Sequence, residues 1–408
     1  MQEKALIDFI RVARKIYFLP LLLASVLVGI LISPIFGHGK YYRPGSVIHR
    51  LFSWDGLWYK NVAVHNYVWQ NDGWKIGHYT NLDFFPIYPI IEKLWSIPFG
   101  FSAFSMIFLS FVLGIISIFS VYRLAFKITN DQNRSISIAA IYTLWPASYC
   151  FFTGYPTGFI NICAAEAILA WLNGKQWRAA AWVGLGTGTA PTMVFLAAAF
   201  CIDKSFQWLK KPKLSSVPAM FLFGLATVWG LLGFMSYLGI HFNDPILFLK
   251  AQRAWGAPTP FVTRLILVFN PLWYGLPIYE MIGAFLHGTT ANTAEIIFQR
   301  VIDLASFLFF VLILWKSRKS SWRNNHKIPD ILWLSALVSL IGYMWFLGTT
   351  AQNLTATIRL LYPVMLMFIW PICNSELKSK YMFWSLLGLG FVGTALQISL
   401  VISGYSVI

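Results

Sequence analysis

Two aspartates sit in an unusual aromatic setting early in this chain. Asp55 lies within Phe52-Ser53-Trp54-Asp55-Gly56-Leu57-Trp58-Tyr59, and Asp83 opens Asp83-Phe84-Phe85-Pro86-Ile87-Tyr88-Pro89. A carboxylate within reach of a hydroxyl can remove its proton. Aromatic faces stack on sugar rings, and phenols or carboxylates bond their hydroxyls. Tyr59, Tyr88, Trp69, Trp74 and His65 accompany the two acids. A connector between two membrane helices needs none of this, whereas a site that seats a sugar and deprotonates its hydroxyl needs all of it. Each acid has a plainer reading as a helix cap: Asp55 at the start of a short helix, Asp83 before the Phe-Phe-Pro turn that starts another. Trp54, Trp58 and Val62 recur as a stripe on the first helix. Ile87, Ile90, Ile91 and Leu94 fit the buried face of the second.

The elements that position these residues are membrane spans. The 408-residue chain is 58% hydrophobic and only 11% charged, with a mean hydropathy of +0.63. A soluble domain carries about 25% charged residues, so the composition is that of a polytopic membrane protein. The formal net charge is +16, which in a soluble protein would raise nucleic acid as a partner. Here the basic residues lie in the connectors between apolar runs, and orientation bias accounts for them. The cysteines, Cys150, Cys163, Cys201 and Cys373, fall in or beside apolar runs without metal or disulfide spacing and read as packing residues.

The apolar runs predict about nine full spans, near 16–36, 101–125, 136–153, 157–173, 215–238, 297–315, 330–349, 358–374 and 381–403. The first reads as an uncleaved helix with a cytoplasmic N-terminus. Segment 178–209 is different. Its first half is too short to cross, Gly184, Gly186, Gly188 and Pro191 interrupt it, and Lys204, Lys210, Lys211 and Lys213 follow. A broken, hairpin-like pair returns those lysines to the cytoplasm, as the charge bias prefers. Segment 261–286, with Pro271, Pro277 and Arg264, lies along the interface or enters partway. This topology puts 20 of the 31 Lys and Arg inside. The rest sit in or beside the outer loops, where a phosphate to be held would explain part of them. The expected architecture is one all-α membrane domain, 1–408, with two outer loops at about 37–100 and 239–296 that bear short helices.

Two further outer elements carry candidates. The second loop contains Asn243-Asp244-Pro245 and then Phe248 to Gly256, in which Gln252, Arg253 and Trp255 fit the rim of a site, with the guanidinium on a phosphate. A solvated amphipathic helix is the alternative. Arg359 opens a span on the outer side, where positive charge is disfavoured, and suits a lipid-linked phosphate at the membrane surface. Glu166 and Asp303 fall within spans and read as structurally paired. There is no Walker loop, dinucleotide fingerprint, His-Glu-x-x-His or Asp-x-Asp pair, and the seven histidines show no ligand spacing. No nucleotide donor and no metal site is therefore expected.

The blocks Trp54-Asp55, Trp58-Tyr59 and Phe84 to Pro89 resemble the PIG-V-like mannosyltransferases, membrane glycosyltransferases of the GT-C type. Asp244 to Gly256 and Arg359 to Pro363 resemble later elements of that family, so the likeness runs in order through most of the chain. It departs at two places: Tyr155-Pro156-Thr157-Gly158 stands where the family has Ser-Glu, and Ala190 where it has an arginine. The resemblance implies a polyprenyl-phosphate sugar donor, most naturally mannose, used on the outer face with inversion. Asp55 would be the base and Asp83 a second carboxylate. Arg253 and Arg359 would hold the donor phosphate, with Trp54, Trp58, Tyr59, Tyr88, Gln252 and Trp255 around the sugar. It implies no cofactor, a glycan or glycolipid acceptor, membrane lipids as surroundings, no nucleic acid, and a bacterial cell membrane rather than the ER. A transporter or flippase of lipid-linked sugars, and an impaired scaffold of the same fold, are the rival expectations.

Overall fold

A computed structural model describes residues 18–39, 42–68, 80–251, 330–350 and 380–404. All regular structure among them is helical. The helices, in chain order, are α1 (Phe18–Ile32), α2 (Val47–Leu51), α3 (Asp55–His65), α4 (Ile87–Phe99), α5 (Ala103–Thr129), α6 (Gln132–Thr143), α7 (Thr157–Leu172), α8 (Gln176–Thr187), α9 (Met193–Lys210), α10 (Val217–Thr227), α11 (Trp229–Phe242), α12 (Leu247–Ala251), α13 (Asp330–Thr350) and α14 (Lys380–Ile402). Short 3-10 turns at Ser33–Phe36, Asn81–Asp83, Pro146–Phe152 and Leu214–Ser216 join some of them.

Three described helices are long and apolar enough to cross a membrane: Phe18–Phe36, Ala103–Thr129 and Phe383–Ile402. Two further spans expected to be continuous are bent. The run near 136–153 breaks by 71° between α6 and Pro146–Phe152. Pro146 has no N–H to donate, and Trp145 before it is extended, with φ −60° and ψ 140°. In an apolar medium the carbonyls freed by such a break need new donors. Thr394 of α14 supplies one to Leu144, its hydroxyl lying 3.5 Å from that carbonyl and 3.3 Å from that of Trp145, which also accepts from the Ser148 N–H at 2.8 Å. The run near 215–238 bends by 68° between α10 and α11. There Gly230 packs backbone to backbone on α8, so close that a Cβ would come within 2.3 Å of the Gly184 carbonyl. The Thr187 hydroxyl reaches the Thr227 carbonyl beside the bend.

Segment 178–209 is interrupted, as its glycines and proline predict. α8 ends at Thr187, α9 begins at Met193, and the two helices pack on each other. The run 157–173 forms α7, a shorter apolar helix. The expected spans 297–315 and 358–374, and segment 261–286, lie outside the described residues. The main core gathers α1, α5–α9 and α14, with Leu22, Val121, Ala147, Cys163, Ile168, Ala180 and Phe200 almost or wholly without exposure. Glu166 is paired as expected: it accepts a hydrogen bond from Arg123 at 2.9 Å. Asp303 lies outside the described residues.

Candidate functional site

The loop after α1 folds as a unit because its aromatic residues meet one another. Phe84 stacks on Trp58 at 5.8 Å and meets Tyr59 edge-on at 5.0 Å. Tyr59 in turn meets Tyr88 edge-on at 5.1 Å. These contacts dock the Asp83–Pro89 block onto α3, and such pairs each add about 0.5–1.5 kcal/mol beyond burial. Asn81, which the sequence reading did not single out, ties the block down. Its side-chain amide donates to the Asn61 side chain at 2.8 Å and to the Asn66 carbonyl at 2.9 Å, and its oxygen accepts from the Val68 N–H at 3.1 Å. The Tyr67 hydroxyl donates to the Phe84 carbonyl at 2.6 Å, and burial holds that phenol well above its ordinary pKa.

Neither aspartate is the cap that the plainer reading would make it. Trp54 occupies the N-cap position of α3, and Asp55 is the first helical residue. A carboxylate there gains from the helix dipole. Trp54 holds φ +54° and ψ −127°, a conformation costly for a tryptophan and of the kind that clusters at functional turns. Asp83 closes the Asn81–Asp83 turn, whose cap is Thr80, and α4 starts later, after Pro86. Asp83 is 9% exposed, while Asp55, Trp54 and Trp58 are half-buried.

The expected faces of both short helices shift. On α3 the buried residues are Gly56, Tyr59, Val62 and Ala63, so of the stripe Trp54, Trp58 and Val62, which could face lipid or core, only Val62 is in the core. On α4 they are Tyr88, Pro89 and Glu92, while Ile90 and Leu94 are exposed. The contact of Tyr88 with Tyr59 sets which side of α4 faces inward, and Ile90 and Leu94 lie on the opposite side.

The Asp55 turn is clamped from behind by the segment before α7. A Cβ on Gly56 would lie 2.6 Å from the Thr153 carbonyl. Gly154, at φ +75°, presses on the Phe52 ring, and its carbonyl accepts from the Tyr88 hydroxyl at 3.3 Å. Burial raises the Tyr88 phenol well above its ordinary pKa. The first departure from the family pattern, Tyr155 to Gly158, therefore starts next to residues that touch the Asp55 turn. The second is near α4: the Ile87 N–H donates to the Gly188 carbonyl at 3.0 Å, two residues before the buried Ala190.

The second loop joins the same unit. Leu247, Phe248 and Ala251 of α12 are buried with Leu82, Phe85, Phe234 and Leu238, and Phe248 meets Phe85 edge-on at 5.4 Å. Lys250 pairs with Asp244. Gln252, which follows the fully buried Ala251, lies outside the described residues, as do Arg253, Trp255, Arg359, Trp69 and Trp74. Among the described residues no group of three His, Cys, Asp or Glu is placed to hold a metal. What the described arrangement offers is a carboxylate at a strained helix start, a second carboxylate on a buried turn, and a set of packed aromatic rings on the same two elements.

No family model matches the chain, and no curated protein does. Among solved structures it is similar to the oligosaccharyltransferase of Archaeoglobus fulgidus. The form complexed with Zn and sulfate gives a TM-score of 0.40 at 13% identity, covering 95% of this chain and 53% of that one. The apo form gives 0.40 at 12% identity, with 96% and 56% covered. The complex with an inhibitory peptide and a dolichol-phosphate gives 0.37 at 12% identity over the same shares. The chain thus spans about half the length of these structures. A likeness this distant assigns neither a family nor an activity.

Proposed function

We propose that the chain is an integral membrane glycosyltransferase of the GT-C type, using a polyprenyl-phosphate sugar, preferentially mannose, on the outer face of the membrane. The observation that supports this reading is the docking of α3, which Asp55 opens, the Asp83–Tyr88 block and the start of the second loop into one aromatic unit. A linker has no use for a carboxylate held at a strained turn on a helix packed in this way.

In this reading Asp55 is the general base. The acceptor hydroxyl oxygen attacks the anomeric carbon and forms the new glycosidic bond. Its proton passes to the Asp55 carboxylate. The bond between the anomeric carbon and the phosphate oxygen breaks, and the lipid phosphate leaves with the electron pair. Attack opposite the leaving group inverts the anomeric centre. Asp83 orients the sugar or acceptor, and Trp58, Tyr59 and Tyr88 line or support the sugar position. Arg253 and Arg359 are proposed to stabilise charge on the leaving phosphate.

Asp55→Asn is expected to lower turnover by about 10²–10⁴-fold while expression and thermal stability are kept. The check is transfer of radiolabelled sugar from a polyprenyl-phosphate hexose to membrane lipid and glycan fractions. Undiminished transfer by the variant would remove Asp55 as the base. Sugar uptake into proteoliposomes without covalent transfer would favour the transporter reading.

A further inference from the structure

The inward face of α4 holds a residue that the mechanism does not use. Glu92 has no exposed surface, and among the described residues neither of its carboxyl oxygens has a hydrogen-bond partner. It lies one turn after Tyr88, on the side of the helix turned away from Ile90 and Leu94. An ionised carboxylate there would have lost water and gained no donor, so the group takes up a proton instead. Burial pushes its carboxyl well above the ordinary carboxylate range, and the opposing pull of Lys60 does not cancel this.

Among the described residues the neighbouring elements bring little else that could hold a charge. Of the described helices, α4 packs chiefly on α3 and α5. On α3 the titratable groups are Asp55, Tyr59, Lys60 and His65, of which Lys60 acts on Glu92 and Tyr59 on Tyr88. α5 carries no charged residue before Arg123. The Gly188 backbone that meets the start of α4 brings none. On α4 itself Tyr88 precedes Glu92, and Lys93 is exposed.

Glu92 is linked to the Asp55 helix through two rings. Tyr88 is in edge contact with Tyr59 at 5.1 Å, and Tyr59 lies one turn after Asp55 on the same face of α3. We propose that Glu92 is kept as a neutral carboxylic acid and acts as a positioning residue for the Asp55 helix, so that its ionisation sets an alkaline limit on sugar transfer. This deepens the reading of Asp55 as the base and rests on it for the activity arm alone.

The experiment uses the full chain in detergent. Infrared spectra of the wild type at neutral pH should contain the C=O stretch of a protonated carboxyl, and Glu92→Gln should lack it. Transfer from a polyprenyl-phosphate hexose is then followed against pH. The wild type should fall to about a tenth of its plateau one pH unit above its alkaline midpoint, while Glu92→Gln keeps its neutral-pH turnover and loses that limb. An identical infrared band in both proteins, or an identical alkaline limb, overturns the proposal. So does a Glu92→Gln protein that fails to fold, because the neutral amide is the nearest mimic of the acid. Absence of transfer in both proteins sinks the Asp55 reading and the positioning role with it, while the infrared arm still decides whether Glu92 is protonated.

Discussion

At the scale of single residues, the candidate site contains groups held where ordinary preferences would not put them. Trp54 takes a positive φ where Asp55 opens α3, and Glu92 is buried without a hydrogen-bond partner among the described residues. The second has a thermodynamic signature. A carboxyl whose folded pKa lies above its unfolded value of about 4.3 contributes stability that is full below that pH. The contribution is lost as pH rises toward the folded pKa, at about 1.4 kcal/mol per unit. Thermal unfolding should therefore show Glu92→Gln more stable than the wild type at pH 8, with the gap closing near pH 4. A gap independent of pH would mean that Glu92 is ionised in the fold. The sequence made Asp55, Asp83, Tyr59 and Tyr88 legible because a cluster of aromatics around two acids is improbable in a linker. Asn81 and Glu92 were not legible. Asn81 works through backbone partners that only the folded loop supplies, and Glu92 sits in a stripe whose apolar neighbours predict the opposite face.

Among the helices, what was legible was the existence of apolar runs, and what was not was their continuity. The run near 136–153 reads as continuous in the sequence, although Pro146 within it removes a donor at the point where it bends. The bend at Val228 has no proline to mark it, and beside it Gly230 packs on a helix more than forty residues away. Hydropathy measures how apolar a run is, not what it packs against. The break at Pro146 makes a specific demand on α14. Thr394→Val keeps the shape but removes the hydroxyl that reaches the Leu144 and Trp145 carbonyls. The expected loss is about 0.5–1.5 kcal/mol, read as a lower midpoint in thermal unfolding. No change would mean that the freed carbonyls are satisfied elsewhere.

For the whole molecule the first question is orientation. His65 and Lys211 are both exposed, and the charge bias places them on opposite sides of the membrane. A membrane-impermeant maleimide applied to intact cells should label His65→Cys and spare Lys211→Cys until the cells are opened. The reverse pattern would put the Asp55 loop inside and remove the proposed outer site. The second question is how the bundle closes. α1 packs against α14, the Ser403 hydroxyl donates to the Ser33 carbonyl at 2.8 Å, and the Gly39 N–H donates to the Ser403 carbonyl at 2.8 Å. Such contacts join segments far apart in the chain and form late in folding. During synthesis α1 meets α6 early, but its largest described packing surface stays uncovered until α14 has been made. A nascent chain stalled before α14 would display a complete Asp55 loop on an unfinished bundle, and membrane quality-control proteases could recognise it by that open seam.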